Sequence, residues 1–85
     1  MHVLITLDNK HRVIIKAYNS RKEAYASNQW KDIRDDENYG IIVLLDLEDG
    51  INKNLALETI RYYHPKQDPY ELLQGAIAEL EASAC

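Results

Sequence analysis

"HVLITLDNKHRVIIKAY", residues 2–18, sets the architecture of this chain. Two runs rich in β-branched and aliphatic residues, 2–7 and 12–18, flank the polar segment "DNKH" at 8–11. Strand-forming runs joined by a short polar turn that begins Asp-Asn read as a β-hairpin. Side chains alternate along a strand, so Val3, Ile5 and Leu7 share one face, as do Val13, Ile15 and Ala17. Leu4 and Ile14 then lie on the other face, which predicts a sheet partly covered on both sides.

The hairpin runs into "NSRKEAYASNQWKDIRDD", residues 19–36. Ser20 and Glu23 have the spacing of a capping box, in which two side chains satisfy amide donors at a helix start. A single helix is expected, with Ala26, Trp30 and Ile33 on its inner face and Tyr25 beside them. The acids Asp35, Asp36 and Glu37 fall at its C-terminal end, where the helix dipole opposes negative charge, so the helix stops there. Gly40 punctuates the chain. "YGIIVLLDL", residues 39–47, is a continuous apolar run of the kind a central buried strand shows, and predicts a third strand over 40–47 paired with the hairpin. "NLALETIRYYHP", residues 54–65, suits a short helix over 54–63 ended by His64–Pro65, or else a fourth strand. The last element is a helix. Asp68 caps it, Pro69 takes its first position, Glu71 completes a capping box, and Leu73, Ala76, Ile77, Leu80 and Ala84 line one face with Leu72 beside them. Gly75 lies off that stripe, where only the close approach of a neighbour would explain it.

The reading is one α+β domain over residues 1–85, in the order ββαβ(α or β)α. Its sheet has three or four largely antiparallel strands beginning with the N-terminal hairpin, packed by two or three helices. Its composition, 46% hydrophobic and 28% charged, is that of an ordinary globular domain. The chain contains no phenylalanine but six tyrosines and one tryptophan. The expected core is therefore aliphatic, with tyrosines at its margins. The one cysteine, Cys85, is the last residue, which suits a reducing compartment and makes a poor nucleophile. "MHVLITLD" has no basic stretch and too short an apolar run for a signal peptide or a membrane span, so a soluble cytoplasmic protein is expected.

Charge divides along the chain. Residues 1–34 hold seven Lys/Arg against three Asp/Glu, and residues 35–85 hold three against eleven. The acidic second half argues against a protein that simply coats nucleic acid, and the split suits docking to a complementary protein.

"LLDLEDGINKN", residues 44–54, is the stretch most like a functional loop. An EF-hand loop is excluded, because with Gly50 at its sixth position the first and third ligand positions fall on Leu45 and Leu47. Asp46 and Glu48 lie two apart, hence on one strand face. With Asp8 at the end of strand one they would hold a divalent metal if strands one and three ran parallel, as a hydrolase or nuclease requires. The plainer reading is a turn reversed at Asp49–Gly50, with Asn52 or Asn54 capping the next element. His2, His11 and His64 have no metal-pair spacing and read as surface residues. The three scattered glycines form no phosphate loop, and no cofactor is implied.

The leading expectation is a non-enzymatic regulatory or interaction protein, inhibitor- or adaptor-like, that binds another protein through Asp35, Asp36, Glu37, Asp46, Glu48 and Asp49. A homodimer sharing the C-terminal stripe is a second mode of association. The alternative is nucleic-acid binding through Arg12, Lys16, Tyr18, Arg21 and Lys22, with basic side chains on phosphates and aromatic rings on bases. The metal-dependent hydrolase with Asp8, Asp46 and Glu48 stands third. Architecture of this kind does not itself carry function.

Overall fold

The computed structural model describes residues 1–8, 10–35 and 40–83. Strands β1 (His2–Leu7) and β2 (Val13–Tyr18) form the hairpin. Its turn is built around Asp8. The Asp8 amide donates to Arg12 O at 2.9 Å and the His11 amide to Asp8 O at 3.0 Å. Asp8 Oδ1 accepts from the amides of Lys10 (2.9 Å) and Arg12 (2.8 Å), while Oδ2 accepts from Arg12 Nε at 2.8 Å. His11 takes the left-handed conformation, φ 61°, that brings the chain round.

The helix expected over the next segment is two helices, α1 (Arg21–Tyr25) and α2 (Asn28–Asp35). Ser20 Oγ accepts from the Glu23 amide at 3.2 Å and starts α1 as expected. The break comes at Ser27. Its hydroxyl donates to Ala24 O at 2.6 Å and accepts from the Trp30 amide at 3.2 Å, ending one helix and opening the next. A serine side chain competes in this way with the helical backbone for its own groups. The break also re-aims the inner face. Gln29 is buried, Ala26 is exposed, and Trp30 is only half-buried, set edge-to-face on Tyr25 at 4.5 Å.

Strand β3 (Gly40–Asp46) pairs with β1, antiparallel like β2, in the order β2-β1-β3. The central strand is therefore β1, and the strand expected at the centre lies at an edge. Its unbroken apolar run has two causes. The sheet is covered on both faces, and Ile42 is an extra residue, since Ile5 pairs with Val43 and Thr6 with Ile41. A bulge of this kind turns adjacent residues to one side. Ile42 and Val43 both pack against the core, and Ile41 is left 47% exposed.

Residues 54–63 are helix rather than a fourth strand, within a longer α3 (Gly50–Tyr63). The final helix, α4 (Pro69–Ser83), begins where expected, with Asp68 Oδ1 accepting from the Tyr70 amide at 3.0 Å. Helices α3 and α4 cover one sheet face. Val3, Ile5 and Leu45 meet Ala56, Ile60 and Leu73 there, and Val13, Ile15, Leu57, Leu72 and Ile77 pack around them. The C-terminal stripe thus packs mainly on its own domain. Leu80 is half-buried, and Ala84 lies outside the described residues.

Helices α1 and α2 lie on the other face, over Leu4 and Thr6, both essentially inaccessible. Gln29 ties this layer down. Its Nε2 donates to Leu4 O (3.0 Å), Thr6 Oγ1 (3.0 Å) and Ile14 O (3.2 Å), and its Oε1 accepts from the Tyr18 hydroxyl at 2.8 Å. The Cα radius of gyration, 12.2 Å, matches the roughly 12 Å of a compact body this long.

Candidate protein-interaction face

The β3–α3 connection uses its acids on its own backbone. Asp46 Oδ1 accepts from the Glu48 amide at 3.0 Å, and the Asp49 amide donates to Asp46 O at 3.3 Å. Asp49 is the N-cap of α3, its Oδ1 accepting from the Ile51 amide at 2.9 Å. Neither Asn52 nor Asn54 caps the helix; both lie within it. Glu48 lies 3.6 Å from the N-terminal ammonium. The stretch is a turn and a helix cap, the plainer of its two readings.

Antiparallel pairing also separates the three carboxylates of the hydrolase reading. Asp8 follows Leu7, which pairs with Gly40, whereas Asp46 pairs with His2 at the opposite end of the same strand. At about 3.3 Å per residue those ends are roughly 20 Å apart. Among the described residues no group of three His, Cys, Asp or Glu side chains is placed to hold a metal ion.

The acidic docking set divides too. Asp35 ends α2, on one side of the sheet, beside Arg34 at 3.4 Å. Asp46 ends β3 opposite His2, whereas Glu48 and Asp49 lie in the turn leading to α3, on the other side. Asp36 and Glu37 are outside the described residues. In the basic set, Arg12 is paired with Asp8 and the Tyr18 hydroxyl is spent on Gln29, while Lys16, Arg21 and Lys22 are exposed. His2 is not the surface residue expected. It is half-buried, and its Nδ1 is enclosed without a hydrogen-bond partner among the described residues.

Two groups among the described residues have shifted acidities. The backbone hydrogen bond from Arg12 holds the Asp8 carboxyl below its ordinary 3.8; partial desolvation opposes this, and the Lys10 amide and Arg12 side chain reinforce it. Asp8 is covered by its own turn at the rim of the molecule rather than by the core. Burial raises the Tyr18 phenol above its ordinary 10.0, with the nearby Ser27 hydroxyl working the other way.

A face that the sequence patterns do not bring out is the outside of α3. Ile51, Leu55 and Tyr62 fall within about 40° of one another around the helix axis. They are 78%, 44% and 79% exposed, while Ala56 and Ile60 on the opposite side are fully buried. Such a helix is apolar on two faces and has core for only one. Its sequence signal is the spacing i, i+4, i+11, which a helix beginning at 54 truncates and one beginning at the Asp49 cap contains. Tyr63 lies against Tyr62 at 5.0 Å, and the half-exposed Tyr70 extends the surface onto α4 with Lys53 Nζ 5.9 Å from its ring. Glu58 lies in the stripe, and Glu48 and Asp49 stand at its N-terminal end. No described helix is long and apolar enough to cross a membrane. Comparison with protein-family models, curated proteins and solved structures gives no match.

Proposed function

We propose that the protein is a non-enzymatic interaction module that binds another protein through the outer face of α3. The observation that carries this reading is the exposure of Ile51 and Tyr62, 78% and 79%, on one stripe of a well-capped helix. Large apolar side chains grouped on a surface cost solubility and mark binding sites. The acids around the stripe specify the partner's chemistry: an apolar helical surface edged with Lys or Arg, in keeping with the acidic second half of the chain.

The test is affinity purification of the tagged chain from cells of its native host, with and without nuclease, beside an Ile51→Ser/Tyr62→Ser variant. A protein that survives nuclease and is lost from the variant, while the variant keeps the wild-type melting temperature, supports the reading. Equal retention by both chains overturns it. Capture abolished by nuclease would transfer the function to the exposed Lys16, Arg21 and Lys22.

A further inference from the structure

Beside β2 a groove of about 330 Å³ opens between the two helical layers. That volume is at the lower end for small-molecule sites. Two alanines keep it open. Ala17 of β2 and Ala76 of α4 are 7% and 6% exposed, so they form its floor, and neither side chain is long enough to fill it. Leu80, one turn beyond Ala76, extends the apolar lining. Here the C-terminal stripe leaves the core, which is why Leu80 is only half-buried.

The lining holds one cation and one anion, Lys16 and Glu79. Lys16 pairs with Leu4, so it lies on the sheet face that α1 and α2 cover, and it shares its wall with Asn28 at the start of α2. Glu79 stands on the opposite wall, α4. Both are exposed, and neither makes an ion pair with a described residue. The Tyr18 hydroxyl and Gln29, which also line the groove, are bonded to each other at 2.8 Å. Recognition of charge therefore falls to Lys16, Asn28 and Glu79. A ligand with one charge would be attracted by one wall and opposed by the other. A ligand carrying both signs suits both walls.

We infer that the groove binds a small aliphatic zwitterion. Its carboxylate faces Lys16 and the Asn28 amide, its ammonium faces Glu79, and its apolar part lies over Ala17, Ala76 and Leu80. Free amino acids and very short peptides share this chemistry. The groove is separate from the outer face of α3, and the inference does not depend on that reading.

The experiment titrates the isotope-labelled full chain, kept reduced at neutral pH, with L-leucine and separately with the leucyl-leucine dipeptide, and reads amide chemical shifts. Saturable shifts are expected at Ala17, Asn28, Ala76 and Leu80, and none at Ile51 or Tyr62. The tighter of the two ligands is then compared with its C-terminal amide, which lacks the carboxylate, and its N-acetyl form, which lacks the ammonium. Each derivative is expected to bind several-fold more weakly, by a margin that narrows at high salt. Lys16→Gln is expected to erase the preference over the amide and keep that over the N-acetyl form. Glu79→Gln is expected to do the reverse. Both variants change exposed positions and are expected to keep the wild-type melting temperature. Tighter binding of leucine identifies a free amino acid as the ligand, and tighter binding of the dipeptide identifies a short peptide. The absence of saturable shifts with either ligand overturns the proposal. So do shifts confined to other surfaces, equal affinity for the zwitterion and its singly charged derivatives, or variants that retain both preferences.

Discussion

Gln29→Leu keeps a side chain of similar length and removes the amide that ties the α2 layer to the sheet. It leaves the Tyr18 hydroxyl without its acceptor and Thr6 Oγ1 without that donor. A loss of about 1–3 kcal/mol is expected for such unsatisfied groups, read as a lower urea midpoint. Asp8 makes a different prediction. Its folded acidity is strengthened, so the unfolded chain binds the proton more readily. The stability it contributes is complete above the ordinary value of 3.8 and is lost as pH falls through the lower folded value. Asp8→Asn keeps an oxygen for the turn amides but not the charge on Arg12. An acid titration of stability is expected to be flatter for the Asp8→Asn variant than for the wild-type chain below that ordinary value; parallel curves would contradict the assignment. The turn at Asp8 is legible in the sequence; its pairing with Arg12 and the role of Gln29 are not. Asp8 suits both a turn and a metal site there, and only the antiparallel sheet separates those uses. Gln29 gives no signal, since its burial depends on the helix break at Ser27.

Gly75 stands exposed in the middle of α4, and a Cβ there would meet nothing within 4 Å. The close neighbour that would have explained it is absent among the described residues. Gly75→Ala is therefore expected to raise stability by about 1 kcal/mol, measured by thermal or urea unfolding. The opposite change belongs to α3: Asp49→Ala removes its N-cap and is expected to cost about 1 kcal/mol. Helix starts written in local chemistry are readable, namely Ser20 before α1 and Asp68–Pro69 before α4. The cap at Asp49 is hidden, because a Gly following Asp is also a turn signal. The third strand's range is readable and its position is not. A run that is apolar through a bulge looks the same in sequence as one buried at the centre.

The whole molecule is a three-stranded sheet between two helical layers, and α3 tests that description from both of its sides. Ile60→Ala, on the inner side, is expected to cost about 2–5 kcal/mol through the cavity it opens. Ile51→Ser with Tyr62→Ser, on the outer side, is expected to change stability by no more than about 0.5 kcal/mol per site. A large loss from the outer pair would mean that those residues serve the core and not a partner.

Sequence alone determined the hairpin, the α+β class, the third strand and the final helix, because each is written in nearest-neighbour chemistry: strand alternation, turn residues and caps. The tertiary structure decided which strand is central, which side of α3 has a core to bury against, and that Asp8 and Asp46 stand at opposite ends of β1. Those depend on strand order and direction, which residues distant in sequence settle together by competing for the same apolar surface.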